Sequence, residues 1–259
     1  MKCFRERSGD QNVTETSTLA HEALSEEQFP VYVDVVREAT ARKIPFALGG
    51  SLAMTFYARK PVRNPKDLDL YVKPEDRDAM IEVLKHLNLR DYYDTVPYDR
   101  GWIYRSTDDN VIVDVIWSMV NRRATVDDEW LTHGDSVSFA GEKLKLIPIE
   151  EMIWSKLYVL QRDRCDWPDI LNIIDQVGKS LDWARLLDRI GEDGPLLHGV
   201  LDIYRWLCPD QAKCLPSWIW AELGQPATRG NGITRERANL IDSRPWFLSA
   251  KCGGESEEC

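Results

Sequence analysis

The hydrophobic pattern begins with an amphipathic helix. Its apolar residues recur every three to four positions: Phe29, Val33, Val36 and Ala39. Just before them, Ser25 and Gln28 have the spacing of a capping box, in which each side chain accepts from the other residue's backbone N–H. Pro45 disfavours helix at the residue before it, so we expect this helix to end near Arg42-Lys43. Residues 1–24 are expected to form a disordered tail.

The pattern then switches between strands and helices. A short apolar run, Pro45–Leu48, stops at Gly49-Gly50-Ser51, and the next residues, Leu52–Ala58, are typical of a helix. The glycines are therefore predicted to lie in a strand-to-helix turn. Farther on, Asp67–Val72 alternates between polar and apolar residues, which predicts a strand. A helix is expected from Pro74 to about His86.

The rest of the chain divides at Pro148. Before it, strands are expected at Trp102–Arg105 and Val111–Trp117, and a hairpin from Ser136 to Ile147. After it the pattern is helical, with helices at Ile149–Gln161, Trp167–Val177, Leu181–Ile190, Leu196–Leu207 and, shorter, Ser217–Leu223. We expect an α/β (α+β) fold, with a small mixed sheet and flanking helices in a domain of residues 25–147. A helical domain of residues 148–224 and a tail of residues 225–259 complete the prediction.

Composition and charge narrow the function classes. The chain has 259 residues and a formal net charge of −10, which argues against broad coating of nucleic-acid phosphates but allows a local basic patch. No apolar run approaches the roughly 20 residues that a membrane span needs, and residues 1–18 lack the apolar core of a signal peptide. We expect a cytoplasmic protein with no membrane partner. The cysteines form no Cys-x-x-Cys pair, which favours reduced thiols over a zinc site.

Two carboxylates share one face of the predicted strand 67–72. Side chains alternate faces along a strand, so Asp67 and Asp69 point the same way. Carboxylates held so close repel each other, and a divalent cation removes the conflict. Oxygen ligands of this kind suit Mg²⁺. Taken alone, an Asp-x-Asp pair is more often a solvated strand face.

A third carboxylate, Asp114, lies inside the apolar segment Val111–Trp117. Such a strand is expected to be buried on both faces, where an unpaired ionised carboxylate is costly. Asp114 therefore needs a partner, and three stay open: a metal ion, an arginine such as Arg105, or its own proton. If the strands of Asp69 and Asp114 are neighbours, three carboxylates converge on one point, which is typical of a divalent-metal site.

The tripeptide Gly49-Gly50-Ser51 adds a candidate anion site. Glycine lets the backbone turn tightly and approach a ligand closely. The following helix presents free N–H groups and the positive end of its dipole, which suit a phosphate. The Ser51 hydroxyl adds one more donor. The tripeptide alone is also typical of a simple turn in which Ser51 caps the helix.

In combination, these segments resemble the nucleotidyltransferase superfamily typified by DNA polymerase β. Gly50-Ser51 lies at a strand-to-helix turn, Asp67-Leu68-Asp69 follows on a strand, and Asp114 is the later acid. The gap of 15 residues between Ser51 and Asp67 is slightly longer than in the smallest members. Larger bacterial members carry an arginine shortly before the Asp-x-Asp, and Arg63 stands in that place. The resemblance covers roughly residues 44–177 and implies that Gly49, Gly50, Ser51 and Arg63 bind the nucleotide.

The helical half carries a second resemblance. Residues 150–169 are similar to the lysine helix and the following Lys/Arg-x-x-Asp-x-x-Asp region of bacterial nucleotidyltransferases related to abortive-infection toxins. In those relatives the lysine reaches the nucleotide phosphates, which implies that role for Lys156; a solvated helix lysine is the alternative. Asp166 and Asp169 are expected to hold the helices together, by capping or by pairing with Arg162 or Arg164.

The resemblance implies a Mg²⁺-dependent enzyme, with Mn²⁺ as the alternative ion. It would transfer a nucleoside monophosphate from an NTP, such as ATP, to an acceptor hydroxyl and release pyrophosphate. Asp67, Asp69 and Asp114 would be both metal ligands and catalytic residues, with Asp114 as general base. The acceptor stays open between RNA, protein and a small molecule, and a cognate antitoxin-like protein is a candidate partner. The alternative is a catalytically inactive nucleotide-binding or protein-interaction module on the same fold.

Overall fold

A mixed sheet forms the centre of the fold. In this computed structural model, which describes residues 18–61 and 64–224, the sheet has seven strands. They are β1 (Ala47–Leu48), β2 (Leu68–Tyr71), β3 (Arg90–Asp91), β4 (Ile103–Thr107), β5 (Ile112–Ile116), β6 (Ser136–Phe139) and β7 (Glu142–Leu146). Their spatial order is β3-β4-β5-β2-β1-β7-β6. The predicted fold class is confirmed.

The two central strands run in parallel. Strand β2 pairs in parallel with β5 and antiparallel with β1, while β4 lies antiparallel on the other side of β5. Most side chains of β2 and β5 are buried, and Leu70, Val113 and Val115 are fully so. Strands covered on both faces consist mainly of apolar residues, and the polar exceptions here are Asp69 and Asp114.

Helices flank the sheet and account for most of the described chain after residue 148. They are α1 (Gln28–Ala41), α2 (Gly50–Ala58), α3 (Arg77–His86), α4 (Asp128–Thr132), α5 (Ile149–Leu157), α6 (Trp167–Val177), α7 (Trp183–Ile190), α8 (Gly194–Leu207), α9 (Pro209–Ala212) and α10 (Ser217–Leu223). Two short 3₁₀ turns occur at Tyr92–Asp94 and Gly191–Asp193. Among these described helices, none combines the length and the apolar character needed to cross a membrane.

The start of α1 confirms the predicted capping box. The Ser25 N–H donates to Gln28 Oε1 (3.0 Å), and the Gln28 N–H donates to Ser25 Oγ (3.2 Å). The side-chain amide of Gln28 also donates through Nε2 to the Pro65 carbonyl (2.8 Å). The first turn of α1 therefore holds the loop that leads into β2.

The predicted N-terminal tail extends too far. Residues 18–23 are helical, and Leu19, Ala20 and Ala23 are buried against the core. The segment is too short to show a helical period in the sequence, so only its packing reveals it. The rest of that tail, residues 1–17, and the predicted tail of residues 225–259 lie outside the described residues.

The predicted end of the lysine-bearing helix is also wrong. Helix α5 stops at Leu157 rather than at Gln161. Beyond it the chain turns back, with the Gln161 N–H donating to the Arg164 carbonyl (2.7 Å) and the Asp166 N–H donating to the Val159 carbonyl (2.9 Å). This return brings residues 164–166 beside the end of α5.

A buried ion cluster joins the helical half to the sheet half. Glu151 of α5 is fully buried and accepts from Arg185 and from Arg189 Nε, the latter at 3.0 Å. Arg189 also donates to Asp127 at the start of α4 (2.9 Å). One hydrophobic cluster extends through both halves. The division into an α/β domain and a helical domain stays a prediction.

Candidate metal and nucleotide site

Three carboxylates converge where β2 and β5 run side by side. Asp69 and Asp114 are paired in the register of these strands, and Asp67 immediately precedes β2. One oxygen of each carboxylate lies within 4.8 Å of the others. Asp114 is buried, whereas Asp67 and Asp69 are partly exposed, so solvent reaches the group. Within the described residues, this is the one group of three His, Cys, Asp or Glu side chains close enough to hold a metal ion.

Asp114 has a charged partner on the neighbouring strand. Arg105 faces Asp114 in the register of β4 and β5. It donates from Nε to Asp114 Oδ1 (2.8 Å) and from Nη2 to Asp114 Oδ2 (2.5 Å). The same Nη2 lies 3.4 Å from Asp67 Oδ2. Of the three partners that the sequence left open, the structure provides the arginine, and this two-point ion pair offsets the cost of burying the carboxylate.

The Gly49-Gly50 turn packs directly against Asp69. The Gly49 N–H donates to the Asp69 carbonyl (3.0 Å), and Gly50 has a φ of +57°. A Cβ on Gly50 would lie 2.7 Å from Asp69 Cγ and closer still to Oδ2, while one on Gly49 would overlap the Tyr71 ring. These positions need glycine because a side chain has no room there. The predicted turn and the predicted metal ligands are therefore parts of one site.

Ser51 follows the turn that packs against Asp69 and carries an unused hydrogen-bonding group. Its Oγ is buried and has no hydrogen-bond partner. A buried hydroxyl without a partner costs free energy, and a phosphate oxygen at the start of α2 would satisfy it. The alternative that Ser51 caps the helix is wrong, because Gly49 holds the cap position and no side chain caps α2.

Lys156 approaches the acids from α5, but its ammonium is bound to two other carboxylates. Its Nζ donates to Asp166 Oδ2 (3.0 Å) and Asp169 Oδ2 (2.8 Å). The side chain is 10% exposed, so it is not a solvated lysine. As expected, Asp166 also pairs with Arg164 (3.1 Å). The pairing of Asp169 with Lys156 was not predicted.

The negative charge of the site is only partly offset by its own cations. Although part of the Asp69 residue is exposed, its carboxylate is enclosed, and this burial, followed by the charges of Asp67 and Asp114, raises the pKa of Asp69 well above its usual range. The charges of Lys156 and Arg105 act in the opposite direction on that pKa. A divalent cation would relieve the conflict, and carboxylate oxygens are the ligands that Mg²⁺ and Mn²⁺ prefer. The residues present therefore fit a divalent metal.

The sequence did not single out Tyr32, which borders the site from α1. Its hydroxyl donates to the Ile112 carbonyl (3.2 Å). Burial, and then the charges of Asp67 and Asp69, raise the pKa of Tyr32. A tyrosine on the inner face of an amphipathic helix has the spacing of any core residue, so its sequence position carried no signal.

Arg164 is a further basic residue whose charge reaches the acids. The hydrogen bond with Asp166 is the largest cause that raises the pKa of Arg164, while burial lowers it. The negative charges of Asp69 and Asp67 raise this pKa further, so Arg164 interacts electrostatically with the site. The sequence had assigned Arg164 only to pairing between helices. Arg63, the predicted nucleotide-binding arginine, lies outside the described residues, and its role stays a prediction.

The arrangement of strands, acids and turn defines the class of protein. A Gly-Ser turn against an Asp-x-Asp strand, with a third acid on the parallel neighbour, is the arrangement expected of a nucleotidyltransferase. A family model described as "Uncharacterised nucleotidyltransferase" matches residues 18–195, more than half of the chain. The chain belongs to this nucleotidyltransferase family. None of the curated proteins compared with it matches.

Several solved structures are similar to this chain at low identity. One is an antigenic nucleotidyltransferase-like protein from Paracoccidioides brasiliensis, with 16% identity, a TM-score of 0.48, and coverage of 76% of this chain and 99% of that one. Another is ANT(2")-Ia in complex with adenylyl-2"-tobramycin, with 16% identity, a TM-score of 0.43, and coverage of 69% and 97%. A third is the lincosamide antibiotic adenylyltransferase LnuA, lincomycin-bound, with 13% identity, a TM-score of 0.42, and coverage of 58% and 97%.

Proposed function

We propose that this protein transfers a nucleoside monophosphate from an NTP to an acceptor hydroxyl, in a divalent-metal-dependent reaction that releases pyrophosphate. The observation that carries the proposal is the convergence of Asp67, Asp69 and Asp114 at a turn that packs against Asp69 and leads into the residue with the buried, unpartnered hydroxyl, Ser51. The acids form a metal-binding face and the turn forms a phosphate-binding face. A metal–triphosphate complex therefore has a place for both of its parts. We expect Mg²⁺ as the ion, with Mn²⁺ as a substitute, and ATP as the first NTP to test.

The roles of the side chains follow from their positions. Asp67, Asp69 and Asp114 hold the metal, which supplies positive charge to the triphosphate and the acceptor oxygen when bound. The Ser51 hydroxyl and the N–H groups at the start of α2 hold phosphate oxygens. The acceptor oxygen bonds to the α-phosphorus, the bond from that phosphorus to the pyrophosphate oxygen breaks, and the hydroxyl proton passes to a base. Asp114 is our candidate for that base, provided that Arg105 releases one oxygen of the Asp114 carboxylate.

Lys156 is the proposed phosphate contact from the helical half. An ammonium has three N–H donors, and two of them are directed to Asp166 and Asp169. One donor remains for a phosphate oxygen. In this role the two aspartates hold the lysine in place, and the nucleotide lies between α2 and α5. Arg63 remains our second candidate for a phosphate contact.

The test is a label-transfer assay with the full chain. An NTP labelled at the α-phosphate and the same NTP labelled at the γ-phosphate are incubated with Mg²⁺ and an RNA, a protein or a small-molecule fraction. Nucleotidyl transfer moves the α label onto an acceptor and leaves the γ label in pyrophosphate. A kinase instead moves the γ label onto the acceptor and leaves the α label in the nucleoside diphosphate. The fraction that takes the α label identifies the acceptor class. We test RNA and protein first, because residues 150–169 resemble toxin-related nucleotidyltransferases.

Matched variants decide whether the proposed site is responsible. Asp69→Ala should abolish transfer of the α label. Asp202→Ala removes an exposed aspartate of α8 that pairs with Arg205 and should transfer label normally. Full activity of Asp69→Ala would sink the assignment. The inactive-module alternative is favoured by two results together. No fraction takes the α label, and Mg²⁺ with NTP shifts the melting temperatures of the wild type and Asp67→Asn equally or leaves both unchanged.

A further inference from the structure

Arg105 occupies the side of Asp114 that faces Asp67. Its Nε and Nη2 donate to both carboxylate oxygens of Asp114, at 2.8 and 2.5 Å, and Nη2 also lies 3.4 Å from Asp67 Oδ2. A metal ion bound by Asp67 and Asp114 together would need the oxygens that this guanidinium now uses. We propose that Arg105 is a positioning residue that competes with a metal ion for Asp114. This inference rests on the proposed function, because it concerns the metal site of that reaction.

The competition divides the site into two unequal cation positions. No hydrogen bond from Arg105 to Asp69 is present among the described residues, so an ion at Asp67 and Asp69 contests only the longer contact of Nη2 with Asp67 (3.4 Å) and leaves both bonds to Asp114 in place. Each oxygen of Asp114 already accepts one bond from Arg105, so an ion that also binds there is repelled by the guanidinium unless one arm of it is displaced. That displacement costs a charge-assisted hydrogen bond to a carboxylate that is 2% exposed. The first ion therefore binds more tightly than the second.

The arginine, rather than the aspartate, is the partner that can move. Asp114 is enclosed in the centre of the sheet, while the side chain of Arg105 is 33% exposed. The backbone of Arg105 is held, since its N–H donates to the Tyr98 hydroxyl (2.9 Å). Its guanidinium carbon lies 6.0 Å from the centre of the Tyr92 ring, an aromatic face that can accept a cation. A withdrawn guanidinium thus has a place to go at the edge of the site.

Titration of the full-length protein with Mn²⁺ alone tests the competition. Electron paramagnetic resonance of the free ion and calorimetry give the affinity of each binding event. We expect one tight and one weak ion in the wild type. In Arg105→Gln the second ion should bind about tenfold more tightly, equivalent to ~1.4 kcal/mol. Arg205→Gln removes an exposed arginine that pairs with Asp202 and should match the wild type.

A double-mutant cycle separates competition from a general effect of charge. In an Asp114→Asn background, Arg105→Gln should change Mn²⁺ affinity by less than about twofold, because the contested carboxylate is gone. Equal tightening in both backgrounds overturns the inference, as do two ions of equal affinity in the wild type or an unchanged second ion in Arg105→Gln. If the wild type binds no Mn²⁺, the proposed function fails together with the inference.

A second substitution guards against loss of folding. Arg105→Gln leaves a buried carboxylate without its partner, which is strongly destabilising. Arg105→Lys keeps a positive charge but lacks the planar fork that bonds both oxygens at once. Its second Mn²⁺ ion should bind with an affinity between those of the wild type and Arg105→Gln. An affinity equal to that of the wild type in Arg105→Lys would overturn the inference even if Arg105→Gln does not fold.

Discussion

Gly50→Ala tests how closely the turn and the metal-binding acids are coupled. The added Cβ would lie 2.7 Å from Asp69 Cγ and closer still to Oδ2, at a residue whose φ is +57°. Gly191→Ala is the control for a positive φ without a clash, because Gly191 has a φ of +55° and a Cβ there meets nothing within 4 Å. Both variants carry backbone strain, and only Gly50→Ala also displaces a carboxylate.

The expected difference between the two variants follows from the clash alone. An L residue at an unfavourable positive φ costs about 1–3 kcal/mol in either variant. Inserting a methyl group into an occupied space adds about 1–3 kcal/mol for Gly50→Ala. For a chain of this size, each kcal/mol shifts the melting temperature by roughly 2–4 °C. We therefore expect Gly50→Ala to melt roughly 2–12 °C below Gly191→Ala.

Two measurements, one on the metal-free protein and one on its Mn²⁺ complex, decide whether Gly50→Ala displaces Asp69. Circular dichroism follows thermal unfolding without metal, and calorimetry gives the affinity for Mn²⁺. Because Asp69 has to move, Gly50→Ala should lose about 10- to 100-fold in Mn²⁺ affinity, the range for a displaced supporting group. Gly191→Ala should keep the wild-type affinity. Equal melting temperatures for the two variants, with unchanged Mn²⁺ affinity in Gly50→Ala, would refute the reasoning.

Three further substitutions test other features. Ser51→Ala should leave the metal-free melting temperature unchanged, because its Oγ has no partner to lose, and should weaken Mg–ATP binding roughly tenfold by calorimetry; equal Mg–ATP affinity would count against the phosphate role. Burial is the largest cause that raises the pKa of Glu150 in the folded protein. The stability that the protonated Glu150 carboxyl contributes is therefore lost as the pH rises through the folded pKa. Glu150→Gln should therefore melt higher than wild type at about pH 8, and the difference should close near pH 4; a constant difference would contradict this. Glu151→Gln removes the buried counter-charge of Arg185 and Arg189, which keep Glu129 and Asp127 as partners, and should lower the free energy of unfolding by about 1.5–3 kcal/mol in urea, so an unchanged urea midpoint would argue against the cluster.

Local features of the site could be predicted from the sequence because they depend on short-range geometry. The two-residue period of a strand puts Asp67 and Asp69 on one face whatever surrounds them. The spacing of Ser25 and Gln28 likewise predicts a capping box, which the structure contains. The burial of Asp114 follows from its apolar neighbours. The order of predicted strands and helices gave the fold class, and the resemblance carried by Gly50-Ser51 and the three acids gave the superfamily.

Long-range pairing could be decided only by the tertiary structure. Sequence periodicity predicts strands but not their neighbours, so the register that sets Asp69 beside Asp114 comes from the order of the sheet. The same order sets Arg105 opposite Asp114 and so selects one of the three partners that the sequence allowed. Lys156 illustrates the limit most clearly, because its helix was predicted while its bonds to Asp166 and Asp169 depend on where the chain turns back. A buried charge demands a partner, and only packing determines which one it finds.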